Sequence, residues 1–169
     1  MRTSRGYWLL AQFDKSSMSI LSDIKNRVNT KLDGPEFSIH MTIAGPLQKI
    51  EKQLHESIEK LTHNIPKYPI HPLDYRTSNQ FYMSLYVDIK RSPQLISTKT
   101  TIDKTLQLDA NEYWPHISLF YGLRNNRTKE EIIKKLPKLP ENLYIESICL
   151  VDVNEEIEKW EIKETFKLK

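Results

Sequence analysis

Phe37-Ser-Ile-His-Met-Thr-Ile-Ala44 and Pro115-His-Ile-Ser-Leu-Phe-Tyr121 are short segments in which apolar and polar residues alternate. Each carries a histidine followed two residues later by a hydroxyl: His40 with Thr42, and His116 with Ser118. Residues i and i+2 of a β-strand share a face, so each segment presents an imidazole beside a hydroxyl. Phe37, Ile39, Met41 and Ile43 form the opposite face of the first, and Ile117, Leu119 and Tyr121 that of the second. By this alternation Tyr121 belongs to the core. Two such units facing one another supply two proton-transfer groups and two hydroxyl donors, a set suited to phosphoester chemistry without a metal.

Spacing alone is weak, because a third match, His55-Glu-Ser57, also occurs among the five His. It lies where Ile50, Leu54, Ile58 and Leu61 recur at helical spacing. Positions i and i+2 of a helix do not face each other, so His55 and Ser57 form no such unit. His55, His63 and His71 therefore read as structural or surface residues.

Outward from the two segments, the chain reads as two similar rounds. Tyr7–Phe13 reads as a strand, Ser16 or Ser17 as the cap of a helix through Leu32, and Gly45-Pro46 as the end of the first His strand. A helix over 48–62 and an extended segment over 68–76 complete the first round. In the second, Phe81–Asp88 alternates as a strand, with Tyr82, Ser84 and Tyr86 on its polar face. Ser92-Pro93 opens a helix. The second His strand follows, then a capping box at Thr128-Lys-Glu-Glu131, and a hairpin of 143–153 with 160–168. The two histidines stand 76 residues apart (40 to 116), close to half of the 169 residues. The expected fold is α+β: two pseudo-symmetric lobes of duplicated strand-helix-strand-helix-strand units, with antiparallel sheets facing a central cleft. One domain spans 1–169, with lobes of about 1–78 and 79–169.

Charged residues make up 28% and hydrophobic residues 38%, as in a globular protein. No apolar run approaches the ~20 residues of a membrane span, and the N-terminal stretch is too short and aromatic for a signal peptide. The single Cys149 lies in an apolar run and reads as a buried core thiol; with no internal disulfide possible, a reducing, cytoplasmic setting is expected. A net charge of +3 suits a nucleotide substrate without the footprint of a dedicated nucleic-acid binder. The basic stretch Arg124, Arg127, Lys129, Lys134, Lys135 and Lys138 reads as a solvated face, or as a lure for a polyanion. No His, Cys or carboxylate spacing marks a metal site, so no cofactor is expected.

His40-Met-Thr-Ile-Ala-Gly45 and Trp114-Pro-His-Ile-Ser-Leu-Phe-Tyr-Gly122 resemble the paired His-x-Thr/Ser motifs of the 2H phosphoesterase superfamily, and look most like its plant- and yeast-type cyclic phosphodiesterases. The resemblance implies a metal-independent phosphodiesterase that opens a nucleoside 2′,3′-cyclic phosphate or ADP-ribose 1″,2″-cyclic phosphate by His/His acid–base catalysis. Related branches imply alternatives: degradation of cyclic oligonucleotide signals or of 2′,5′-oligoadenylates, which would antagonise immune signalling. A non-catalytic RNA- or nucleotide-binding module is the reading of another class. The candidate catalytic residues are His40, Thr42, His116 and Ser118, with His116 as base and His40 as acid or the reverse. Tyr82, Tyr86 and Trp8 are candidate stacking surfaces for a base. The partners expected are a nucleotide, a cyclic phosphate or a short oligonucleotide, with neither a membrane nor an obligate protein partner.

Overall fold

The computed structural model describes residues 5–169; residues 1–4, part of the stretch read against a signal peptide, lie outside the described residues. In chain order the elements are β1 (Tyr7–Phe13), α1 (Lys15–Asn29), β2 (Met41–Leu47), α2 (Lys52–His63), β3 (Tyr68–Ile70), β4 (Pro72–Thr77), β5 (Leu85–Ile89), α3 (Pro93–Leu106), β6 (His116–Phe120), α4 (Asn126–Ile133), β7 (Leu143–Asp152) and β8 (Glu161–Lys167). The fold is α+β, and the strands join one antiparallel sheet in the order β3-β7-β1-β2-β6-β5-β4, with β8 on β7.

The two halves meet at β2 and β6 through the single pair Met41↔Ile117. Each of these residues directly follows a histidine, so the pairing brings the two histidine segments side by side. The halves of the sheet do not follow the halves of the chain. β4, from the first round, pairs with β5, while β7 and β8 return to pair beside β1. Residues 68–76 thus divide at the junction of β3 and β4, which lie at opposite ends of the sheet order. Pro69 and Pro72 sit on these outer strands, where a missing ladder donor is tolerated.

Strand alternation sorts the side chains. Leu9, Ala11, Met41, Ile43, Leu85, Val87, Ile117, Leu119, Ile148 and Leu150 enter the main core with Leu21, Ile24 and Val28 of α1, Ile58 of α2, and Leu95 and Ile102 of α3. Leu10, Cys149, Val151 and Val153 form a smaller cluster with Trp8 and Trp160 on the other face. That second face carries the cleft.

Local signals held in type more often than in detail. Asp14, rather than Ser16 or Ser17, caps α1, its Oδ1 accepting from Ser17 N at 2.8 Å. α3 starts at Ser92-Pro93 as read. α4 starts before the expected capping box, with Asn125 as its cap. Phe81–Met83 is a 3₁₀ turn rather than the start of a strand. Gly45-Pro46 does not end β2, which continues to Leu47. Gly45 has φ +137°, and a Cβ there would meet the Trp8 ring at 2.7 Å. The bare glycine backbone is what lets Trp8 lie over β2. Among the described residues no helix is long and apolar enough to cross a membrane.

Candidate active site

Because the sheet continues through Met41↔Ile117, the next residues oppose each other as well. His40 falls opposite Ser118 and Thr42 opposite His116, all four on the open face. They line one cavity of about 260 Å³, together with Trp8, Tyr82, Tyr121 and Trp160. Thus the structure brings His40, Thr42, His116, Ser118, Trp8 and Tyr82 into one place. Tyr86 stands just outside, directly opposite Ser118 on β5, its ring edge-on to His116 at 5.5 Å. It serves as a wall of His116 rather than as part of the cavity.

Both imidazoles are held alike. His40 Nδ1 lies 2.7 Å from the Ser38 carbonyl, and His116 Nδ1 lies 2.7 Å from the Trp114 carbonyl. A carbonyl only accepts, so each Nδ1 carries the proton and each Nε2 is left for the cleft. Trp114 contributes through its backbone; its indole is 60% exposed. Tyr113 O–H donates to the Thr42 carbonyl at 2.8 Å and braces β2 at the same point.

The two rings differ in electrostatics. Burial pushes His40 down to about 4, with His116 and the Lys25 ammonium adding to the depression. His116 is also lowered by burial, but the Trp114 carbonyl and the Asp88 carboxylate oppose that shift. Asp88 sits directly opposite His116 on β5 and pairs with Arg76 at 2.9 Å.

Tyr121 is a site residue that alternation assigned to the core. Its hydroxyl lies 3.3 Å from His40 Nε2 and donates to it when the ring is neutral. The tyrosine is buried, which raises its pKa and keeps the proton on oxygen, and it neighbours the Ser118 hydroxyl. The correction has a local cause. Leu85 pairs with Phe120 but Tyr86 pairs with Ser118, so β6 holds one extra residue at that step. Such a bulge reverses every later side chain, sending Phe120 into the core and Tyr121 to the cleft. Phe37 stacks on Tyr121 at 3.8 Å, and the buried Lys25 ammonium lies 4.1 Å from the centre of the Phe37 ring.

The remaining wall comes from loops. Trp160 faces Tyr82 with ring centres 6.2 Å apart and planes 27° from parallel. The loop bearing Tyr82 is tied down by Lys129, which is fully buried and not part of a solvated face as its neighbours suggested. Its ammonium donates to the Ser78 carbonyl at 2.6 Å and to the carbonyl and hydroxyl of Ser84 at 3.1 Å. Ser118 Oγ donates to the Tyr82 carbonyl at 2.8 Å. Lys129→Met leaves these carbonyls without their donor, an expected loss of about 1–3 kcal/mol by denaturant unfolding. With Tyr82 released, KM is expected to rise more than kcat falls. No group of three His, Cys, Asp or Glu able to hold a metal occurs among the described residues.

Solved structures share this architecture. Escherichia coli LigT in complex with 3′-AMP superposes with a TM-score of 0.64 at 12% identity, covering 98% of each chain. The protein TT0787 of Thermus thermophilus gives a TM-score of 0.57 at 12% identity, over 96% of this chain and 97% of that one. Kluyveromyces marxianus Usb1 gives 0.50 at 10% identity, with the same coverage. The fold is that of the 2H phosphoesterases. At the level of sequence, no family model and no curated protein matches the chain. LigT has also been solved with NADP+ and with ATP, so this 2H fold accommodates nucleotides in that protein.

Proposed function

We infer that the chain is a metal-independent nucleotide phosphodiesterase working by His/His acid–base catalysis. One observation carries the reading: two Nδ1-pinned imidazoles on either side of the Met41↔Ile117 pair line one cavity, each opposite a hydroxyl residue. A nucleoside 2′,3′-cyclic phosphate, or an ADP-ribose 1″,2″-cyclic phosphate, is the substrate type read from the motifs. Trp8 and Tyr82 offer faces for its base.

The electrostatics favour His40 as base and His116 as acid. His40 is neutral at pH 7, with its Nε2 lone pair available once Tyr121 turns to the substrate. It takes a proton from water as the water oxygen bonds to phosphorus. His116, whose protonated form Asp88 supports, delivers a proton to the departing ribose oxygen as the P–O bond breaks. The hydroxyls of Thr42 and Tyr121, and that of Ser118 once it turns from the Tyr82 carbonyl, donate to the non-bridging oxygens, where charge develops.

The test is turnover of nucleoside 2′,3′-cyclic phosphates in the presence of a chelator, beside 3′,5′-cyclic and 2′,5′-linked compounds. Activity is expected to survive chelation. Loss of activity to chelator overturns the mechanism, and tight binding without turnover of any compound favours a binding module instead. Turnover confined to 2′,5′-linked or cyclic oligonucleotides redirects the reading to degradation of such signals.

The pH profile follows from the shifts. The active form needs His40 neutral and His116 protonated. Hence kcat/KM is expected to rise through an acid limb near pH 4, where His40 loses its proton, and to fall through a limb below 6.5, where His116 loses its own. The maximum lies on the acid side of neutrality. Asp88→Asn removes a carboxylate that raises His116, so the alkaline limb should move to lower pH. An alkaline limb that stays in place would remove Asp88 from the account.

A further inference from the structure

We propose that Lys25 of α1, which does not line the two-histidine cavity, is a positioning residue for His40, holding its imidazole through Phe37 and Tyr121. This rests on the phosphodiesterase reading above.

The need for such a residue starts in the backbone. Residues 32–40 belong to no helix or strand, so no ladder fixes the segment that delivers His40 to β2. Both ends of the His40 ring nevertheless depend on it. Nδ1 is pinned by the Ser38 carbonyl at 2.7 Å, and Nε2 meets the Tyr121 hydroxyl at 3.3 Å. Phe37 joins the two contacts. It directly precedes Ser38, and its ring stacks on Tyr121 at 3.8 Å with the planes 14° apart. A shift of Phe37 therefore displaces both partners of the imidazole at once. His116 is better secured on this count, since its wall Tyr86 is fixed within β5.

Lys25 is placed to hold Phe37. α1 buries Leu21, Ile24, Lys25 and Val28, so the lysine points with apolar neighbours toward the body of the protein rather than to solvent. Its ammonium lies 4.1 Å from the centre of the Phe37 ring, inside the ~6 Å over which a cation is drawn to an aromatic face. Burial works against the charge, and the Glu36 carboxylate supports it.

The same ammonium acts on His40 through space. The titratable and charged groups around the ring are Tyr121, His116, Lys25, Glu36 and Glu158. The two glutamates line an adjoining cavity of about 350 Å³, which shares Leu10, His40 and Trp160 with the two-histidine pocket. The Lys25 cation opposes a positive charge on His40, whereas the Asp88 carboxylate favours one on His116. Position and charge thus agree in making His40 the ring that accepts a proton.

The experiment measures kcat, KM and the pH profile on adenosine 2′,3′-cyclic phosphate for Lys25→Met, Lys25→Arg, Phe37→Leu and the Lys25→Met/Phe37→Leu pair. The His40 ring is followed alongside by NMR titration without substrate. Lys25→Met is expected to lower kcat at least about tenfold, on the way to the ~10²-fold that a 1 Å misplacement costs, with KM changed by less than about twofold. Its acid limb and its His40 titration should both move to higher pH, because a cation that disfavours the imidazolium is gone. Lys25→Arg keeps the charge over the ring and should restore both. Because Lys25 acts through Phe37, the double variant should lose no more in kcat than the worse single one. Three results overturn the proposal while leaving the phosphodiesterase reading intact: parent-like kcat with an unmoved limb in Lys25→Met, no rescue by Lys25→Arg, or losses that multiply in the double variant. Should Lys25→Met fail to fold, parent-like kcat in Phe37→Leu overturns it equally. No turnover by the parent chain removes the phosphodiesterase reading. The His40 titration, by the same shift and the same rescue, then decides whether Lys25 holds that ring.

Discussion

His40→Ala and His116→Ala are each expected to lower kcat/KM on a nucleoside 2′,3′-cyclic phosphate by about 10²–10⁴-fold, the usual worth of a positioned proton-transfer group. The paired variant should fall little further than the worse single one. Base and acid act in the same step, so losing either disables the other, and groups that act as a unit are not multiplicative. The losses should appear in kcat more than in substrate affinity, because the base-stacking walls Trp8 and Tyr82 remain. Folding is a small concern. His40 touches the Ser38 carbonyl and Tyr121, and His116 the Trp114 carbonyl and the edge of Tyr86, none of them a large part of the core. Unfolding midpoints near that of the parent chain would secure the kinetic result. Full activity in either single variant would end the two-histidine mechanism.

The largest effect on stability is expected from Phe120→Ala, at about 3–5 kcal/mol. Phe120 is 2% exposed and enters the core at the bulge of β6. Its ring lies against two stretches of bare glycine backbone. A Cβ built on either Gly34 or Gly122 would meet it at 2.6 Å. Backbone cannot move into the vacated space as a side chain would, so the cavity stays open and the cost belongs at the upper end. Against a total stability of about 5–15 kcal/mol for a typical domain, much of the fold's margin goes. The measurement is the denaturant midpoint at unchanged slope. The same variant should damage the site, because Phe120 sits between Ser118 and Tyr121 and Gly122 N–H donates to the Phe81 carbonyl at 3.0 Å, beside Tyr82. A loss below about 1 kcal/mol would show that the glycine-lined pocket can collapse.

The fold was legible where a short-range period governs. Alternation around the two histidines placed apolar side chains toward the helices and His40, Thr42, His116 and Ser118 on the other face, as the core cluster and the cavity lining record. It misled at Tyr121, where one extra residue in β6 exchanges the faces, and at Phe81–Met83, which curls into a 3₁₀ turn while keeping Tyr82 in the cleft. Lys129 read as solvated because its neighbours in sequence are basic. Its burial depends on the carbonyls of Ser78 and Ser84, some 50 residues upstream, which no local pattern announces. Trp160 was readable as apolar in a hairpin, but its place between two cavities comes from β8 pairing with β7 and β7 with β1.

Local residue order is enough to set the composition of each half-site: an imidazole and a hydroxyl on one side of a strand with an apolar back. That follows from the period of two of extended chain, a property of every residue and its next neighbour. Long-range folding decided that the halves meet at Met41↔Ile117, so that each histidine stands opposite the other unit's hydroxyl. It also decided that Tyr121 joins them and that His40 is the more strongly neutralised ring. Those outcomes turn on register between distant strands and on the desolvation that packing imposes. Neither quantity exists until the chain has closed around the cleft.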